Sequence, residues 1–243
     1  MWADVAYLKE FYESSLGKMA CSLIQHQLRS LWPSLKKEHL VGLGYPIPYL
    51  QDFAEEADTV TVAMPAQQGA IAWPTKNPNL TTLVKELELP FSDLSTDKVL
   101  IVHGAEFSEQ IRPFLREIWR ILKSSGHIIL VIPNRRGLWA SFEHTPFGRG
   151  LPYSAGQISK LLQANMFTPT NVRRVICFPP VKSQLFLSAA PAVEKISSGI
   201  LSNFAGVIIV EAIKQLYAGQ PLGSPQQSRS MLAVPQQSKN SLS

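Results

Sequence analysis

Apolar residues recur at three- and four-residue steps along the first part of the chain: Val5, Leu8, Phe11 and Tyr12, then Leu16, Met19, Ala20, Leu23 and Ile24. That spacing predicts a helix over residues 4–32, with Asp4 as its cap and Pro33 at its exit. From His39 the pattern changes to short apolar runs separated by turns or periodic segments. The runs are HLVGLGY (39–45), TVTVAM (59–64), TTLVKEL (81–87), KVLIVHG (98–104), HIILVIP (127–133), VRRVICF (172–178) and GVIIVEA (206–212). Several are continuous rather than alternating, the pattern of strands covered on both faces. Between the fourth and fifth runs, Ile111, Phe114, Leu115, Ile118 and Leu122 form one helical stripe, with Arg112, Arg116 and Lys123 mostly off it. Ser125-Gly126 is the expected stop of that helix. A further helix is expected from Ser154 to about Asn165, with Ile158, Leu161 and Leu162 inward. Strands alternating with helices predict an α/β protein with a mostly parallel sheet.

The end of the chain breaks this rhythm. From about Gly219 it is rich in Gln, Ser and Pro, with few large apolar residues, and a disordered tail is expected. The division that follows is a helical extension at 1–37, a folded domain at 38–218 and a tail at 219–243. The 243 residues suit one α/β domain with a full core. Lys and Arg outnumber Asp and Glu by 23 to 18, a net charge of +5 without a dense basic block, so nucleic-acid binding is not indicated. Cys21 and Cys177 lie far apart with no metal-ligand spacing around them. Neither a disulfide framework nor a metal site is expected, which fits a reducing compartment. The N-terminus lacks a signal pattern, and the longest apolar runs are too short to span a bilayer, so the expectation is a cytoplasmic protein with no transmembrane segment.

Candidate chemistry begins in HLVGLGYPIPYL, residues 39–50. In a parallel α/β sheet, ligands gather at the carboxyl ends of the strands near the switch point. Gly42 and Gly44 end the first run, where such a loop belongs, and the prolines after them still allow a helix over Tyr49–Glu56. The spacing is neither a dinucleotide fingerprint, since Ile47 stands at its third glycine, nor a phosphate loop, since no Gly-Lys-Ser/Thr follows. From the loop alone, a ligand-binding turn and a plain tight turn stand level.

The middle of the chain adds a resemblance. ELELPFSDLSTDKVLIVHGAEF (86–107) and LREIWRILKSSGHIILVIPNRRG (115–137) resemble the class I S-adenosylmethionine-dependent methyltransferases, specifically the type 11 group. The residues that carry it are Leu89-Pro90-Phe91, Asp97, Leu115, Glu117, Arg120, Leu122, Lys123, Gly126, Pro133 and Asn134. TPFGRGLPYSAGQISKLLQANMF (145–167) is similar to the segment before that family's sixth strand, and PNRRGLWASFEHTPFG is similar to a bacterial subgroup. The resemblance covers roughly residues 38–215. It implies a Rossmann-like class I methyltransferase fold, with a mostly parallel seven-stranded sheet flanked by helices and here an N-terminal helical extension. It also implies S-adenosyl-L-methionine as cofactor, with Gly42, Leu43, Gly44 and Tyr45 under its methionine part. Met64 and Pro65 would lie at the ribose, Glu86 and Leu87 at the adenine, and His103 between cofactor and acceptor.

Departures from the family pattern are visible. Leu40 stands where the family has an acid before the first glycine, Pro46 at its third glycine, and Ala63-Met64-Pro65 where it has an acid for the ribose hydroxyls. Each lost charge-assisted hydrogen bond costs on the order of 1.5–3 kcal/mol, which Gln67, Gln68 or backbone groups would have to offset.

Methyl transfer from a sulfonium needs no metal and no covalent enzyme intermediate, so no catalytic triad is expected. The richest polar cluster, NRRGLWASFEHTPFGRGLPYS, follows the fifth strand. It marks Arg135, Arg136, Trp139 and Tyr153 as acceptor-binding candidates, and His144 or His103 as a base. The alternative is that the arginines are solvated and that His and Trp pack a loop. Asp93 and Asp97 read as turn residues. The aromatic N-terminal helix, with Trp2, Tyr7, Phe11 and Tyr12, reads as a lid or as core. Residues 181–204 read as a helix for acceptor choice, partner contact or membrane-surface contact. Three functions stay open: a methyltransferase with a small-molecule or macromolecular acceptor, a non-catalytic binding or assembly protein on the same fold, and, more weakly, an RNA-associated protein based on the Arg135-Arg136 and Arg173-Arg174 pairs.

Overall fold

The computed structural model describes residues 2–75, 78–180 and 204–216. The segment 181–203 and the predicted tail from Gly219 lie outside the described residues. Seven strands form one sheet: β1 (His39–Gly44), β2 (Thr59–Pro65), β3 (Thr81–Val84), β4 (Thr96–Val102), β5 (Leu122–Pro133), β6 (Phe167–Val175) and β7 (Val207–Lys214). Their order is β3-β2-β1-β4-β5-β7-β6. Strands β1 to β5 run parallel, and β7 inserts antiparallel between β5 and β6. This is the mostly parallel seven-stranded architecture that the apolar runs and the resemblance imply.

Alternation along the central strands builds two cores. Leu100 and Val102 of β4, with Ile129 and Val131 of β5, face α1 (Val5–Glu13), α2 (Ser15–Leu31) and α3 (Ile47–Ala54). Val99 and Ile101, with Ile128, Leu130 and Ile132, face α4 (Ile111–Ile121) and α5 (Ala155–Ala164). Both faces are therefore apolar, which is why the runs read as continuous. On α4 the buried residues are Phe114, Leu115, Ile118 and Ile121, close to the expected stripe. Ser154 and Gln157 form a reciprocal capping box at the start of α5.

Helix α3 spans Ile47–Ala54 rather than Tyr49–Glu56, and three larger differences from the sequence expectation bear on the packing. The single helix over 4–32 is two helices. Asp4 caps α1 by accepting from the Ala6 amide at 2.8 Å, as expected. Ser14 then turns extended (φ −68°, ψ 159°) and its side chain caps α2 by accepting from the Gly17 amide at 3.0 Å. A Cβ on Gly17 would lie 1.9 Å from the Phe11 carbonyl oxygen, so the break depends on backbone passing close to backbone. Second, α4 ends at Ile121. Leu122 is already extended (φ −69°, ψ 137°), and Ser125-Gly126 lie inside β5 rather than stopping a helix. Third, β6 starts at Phe167, because its pairing with β7 begins there, well before the run at 172–178. Asp97, expected in a turn, is in β4, where it accepts from the His39 amide at 2.9 Å and from Lys123 at 2.8 Å.

Candidate functional site

The chain leaves β1 toward β2 and β3 on one side and returns to β4 on the other, so the switch point lies between the carboxyl ends of β1 and β4. Gly44 and His103 meet there. The Tyr45 amide bonds to the Val102 carbonyl at 2.7 Å. Gly44 has φ +84°, and a Cβ on it would lie 2.2 Å from Val102 O, so only glycine fits this turn. Gly42 is packed instead by Pro46, whose Cγ would be 2.6 Å from an added Cβ. Leu43, Met64 and Pro65 are buried.

Two clefts open at this edge. The larger, about 500 Å³, lies at the ends of β2 and β3. Ala66, Gln67, Val84, Glu86 and Leu87 line it, with Trp2 from the N-terminal segment and Gln110 opposite. Glu86 Oε1 accepts from Ser108 at 3.3 Å, while its Oε2 is buried without a partner. Burial raises the Glu86 carboxyl above its usual range, with Glu109 adding to the effect and the Ser108 bond opposing it. Glu86 lines the cleft, and a carboxylate with one oxygen left unpartnered suits a ligand that donates, such as an exocyclic amino group, once the side chain turns toward it. Of the two glutamines considered, Gln67 lines this cleft. Gln68 is buried, and its Nε2 donates to the His103 carbonyl at 3.1 Å.

The smaller cleft, about 310 Å³, lies against α1 and the start of α2, lined by Tyr7, Glu10, Phe11, Ser14, Ser15, Leu16 and His144. Between the two clefts the edge is filled by aromatic side chains. His103 is fully buried, with a left-handed backbone (φ 49°) unusual for a non-glycine residue. Its Nε2 lies 2.8 Å from the Tyr12 hydroxyl, which in turn lies 2.9 Å from the Tyr49 hydroxyl. Its Nδ1 lies 3.2 Å from Glu106 Oε1. Glu106 is buried too, and its Oε2 has no partner. Burial drives the Tyr12 and Tyr49 phenols well above their usual range, so both hydroxyls stay protonated.

The other candidates scatter. Arg135 and Arg136 are exposed on the loop after β5. Tyr153 is half-buried, and its carbonyl accepts from the Arg135 amide at 2.9 Å. Trp139 is fully buried; its indole donates to the Phe178 carbonyl at 2.6 Å and its ring meets Phe11 and Phe147 edge-on. It packs the core instead of facing either cleft. His144 is exposed at the smaller cleft, away from His103. Sequence reasoning did not single out Glu106 or Ser108. The available signal was HGAEF, which sets a carboxylate three residues after His103. Among the described residues no group of three or more His, Cys, Asp or Glu could hold a metal ion, and no helix is long and apolar enough to cross a membrane.

Residues 40–130 match the family described as a methyltransferase domain. No curated protein matches the chain. Solved structures share its fold. A SAM-dependent methyltransferase from Archaeoglobus fulgidus superposes with a TM-score of 0.60 at 16% identity, over 86% of this chain and 98% of that one. An S-adenosylmethionine-dependent methyltransferase from Mesorhizobium loti gives 0.57 at 14% identity, over 78% and 96%. Geranyl diphosphate C-methyltransferase from Streptomyces coelicolor, solved with S-adenosyl-L-homocysteine, gives 0.55 at 14% identity, over 78% and 75%.

Proposed function

We propose, for a chain that belongs to the class I S-adenosylmethionine-dependent methyltransferases of the type 11 group, that it binds S-adenosyl-L-methionine at the carboxyl ends of β1 to β4 and methylates an acceptor reached beneath α1. The observation that carries this reading is the cleft of about 500 Å³ beside Glu86, whose buried Oε2 lacks a partner. An adenine amino group is a donor of the kind that acceptor needs. Gln67 would take the place of the missing ribose carboxylate, at lower affinity because a neutral amide makes weaker bonds than a charged acid. Gly44, with its positive φ, would serve by shaping the tight turn over which the methionine part lies. When bound, the cofactor supplies an activated methyl group; the protein's part is alignment and proton removal from the acceptor. His103, backed by Glu106, is the base this reading favours, and Arg135, Arg136 and Tyr153, which line neither cleft, would contribute only to the outer part of an acceptor site. A cytoplasmic setting belongs to the same reading, resting on the sparse, widely spaced cysteines.

One observation favours a second reading, a non-catalytic binding protein on this fold. Tyr12, Tyr45 and His103 fill the edge beside Gly44, and Pro46 packs on Gly42. Calorimetric titration of the full chain with S-adenosylhomocysteine separates the two. Micromolar binding that weakens about tenfold in Glu86→Gln, the loss of one charge-assisted bond, supports the enzyme. No binding up to millimolar ligand sinks it.

A further inference from the structure

Tyr12 is held unlike an ordinary core tyrosine. Its ring stacks on Tyr45 with centroids 5.8 Å apart at 26°, and meets Tyr49 edge-on at 5.8 Å and 86°. Its hydroxyl sits between the Tyr49 hydroxyl and His103 Nε2, at 2.9 and 2.8 Å. Behind His103 stands Glu106, 3.2 Å from Nδ1. Carboxylate, imidazole and hydroxyl in series are the arrangement of a general base with its proton donor in place. With Nδ1–H directed at the carboxylate, Nε2 accepts and the Tyr12 phenol donates.

The element that delivers Tyr12 is short and jointed. Helix α1 has nine residues and ends at the extended Ser14. Outside its own caps it is held by Leu8, Phe11 and Tyr12 packed in the core, by the Tyr12 hydroxyl between Tyr49 and His103, and by peripheral ties: the Val5 amide to the Gln68 carbonyl at 2.9 Å, the Tyr7 hydroxyl to the Glu143 carbonyl at 3.4 Å, and Arg149 stacked on Tyr7 at 4.1 Å. The cleft of about 310 Å³ already runs along its flank. Withdrawal of α1 by rotation at Ser14 would vacate the places of Leu8, Phe11 and Tyr12, and the Tyr12 place is one aromatic ring in size, with a hydroxyl partner and a base at its end.

We propose that Tyr12 is an internal stand-in for the methyl acceptor, and that the true acceptor is an aromatic hydroxyl that takes the Tyr12 position between Tyr49 and His103. This rests on the methyl-transfer reading above and names its substrate class. The acceptor's hydroxyl proton passes to His103 Nε2, and the resulting imidazolium is offset by Glu106. The acceptor oxygen forms the new O–CH₃ bond as the donor's C–S bond breaks, its electron pair staying on sulfur in a neutral thioether. His103 then returns its proton to water. While α1 is docked, Tyr12 competes with the acceptor, so the docked chain turns over slowly.

The probe is 4-fluorophenol, with fluorobenzene as the control that lacks the hydroxyl. Binding to full-length wild type and Tyr12→Ala is followed by fluorine NMR, with and without saturating S-adenosylhomocysteine. Formation of 4-fluoroanisole from S-adenosylmethionine is followed by mass. The expected result is at least tenfold tighter 4-fluorophenol binding to Tyr12→Ala than to wild type, no comparable binding of fluorobenzene, and faster 4-fluoroanisole formation in the variant. His103→Gln should lose formation of 4-fluoroanisole about a hundredfold while keeping its affinity for S-adenosylhomocysteine. Tyr12→Phe preserves the packing should Tyr12→Ala fail to fold, and it should lower the KM for 4-fluorophenol several-fold. S-adenosylhomocysteine binding without preference for the hydroxyl, or without methylation by wild type and both Tyr12 variants, overturns this proposal alone. Absence of S-adenosylhomocysteine binding overturns the methyl-transfer reading and this proposal with it.

Discussion

Glu211 on β7 shows how much one side chain decides. Its carboxylate is nearly buried, yet it accepts from Trp32 Nε1 at 3.1 Å, Thr170 Oγ1 at 3.0 Å and Asn171 Nδ2 at 2.8 Å, with His127 Nδ1 at 3.2 Å. Burial works to raise its pKa, but these hydrogen bonds together overcome burial and hold it at about 2, against an ordinary value of 4.5. The depressed value means that Glu211 stabilises the fold fully above about pH 4.5, progressively less as pH falls, and not at all below about pH 2. Glu211→Gln should therefore cost about 1–3 kcal/mol at neutral pH, the lower end reflecting solvent screening of a carboxylate that is not wholly desolvated. Denaturant unfolding at a series of pH values should show the gap between wild type and variant closing from pH 4.5 downward; a gap independent of pH would refute the assignment. Nothing in GVIIVEA distinguishes this glutamate from a solvated one, because its partners come from the residue that follows α2 and from β5 and β6. Trp139 is a similar case. It lies in a loop rich in charged and polar residues such as Arg135, Arg136, Glu143 and His144, but its indole finds the Phe178 carbonyl and its ring enters the core.

At the scale of elements, local pattern predicted type well and junctions less well. The apolar stripe over 5–24 is continuous through Ser14, so periodicity alone predicts one helix. The break arises where α1 and α2 meet, with Gly17 against the Phe11 carbonyl and Ser14 capping the second helix. Gly17→Ala would drive a methyl group into that backbone. It should destabilise the protein by about 1–3 kcal/mol and free α1, so that limited proteolysis cuts within residues 1–14 well before it cuts the sheet. Resistance equal to wild type would mean that the joint tolerates a Cβ and that the close approach does not hold α1 in place. The start of β5 has the same origin: Leu122 is extended because β5 pairs with β4 from Thr96 onward, although the stripe of α4 continues to Leu122.

Across the whole molecule, β1, β4 and β5 lie at the centre of the sheet, and the residues facing both cores on β4 and β5 are fully buried. Opening these strands requires global unfolding, whereas the withdrawal proposed for α1 opens only the edge it covers. Hydrogen exchange should find Val99–Val102 and Ile128–Ile132 the slowest amides, exchanging only with global unfolding. Amides of α1 should exchange faster by several orders of magnitude. Equal protection in α1 and β5 would argue against α1 as a separable lid.

Seven apolar runs and the helical stripes between them were enough to specify strands, helices and a doubly covered sheet, because burial on two faces demands continuous apolar sequence. The turn at Gly44 was legible for a related reason: its backbone needs φ +84° and tolerates no Cβ. The filling of the ligand edge was not legible. It depends on Tyr12, Tyr49, His103 and Glu106, drawn from three separate parts of the chain, whose distances exist only once α1 has folded over the ends of the strands. Hydrophobic pattern reports which face of an element leaves water. Which polar groups then meet inside is settled by tertiary packing, since the cost of burying each one is offset only by a partner far away in sequence.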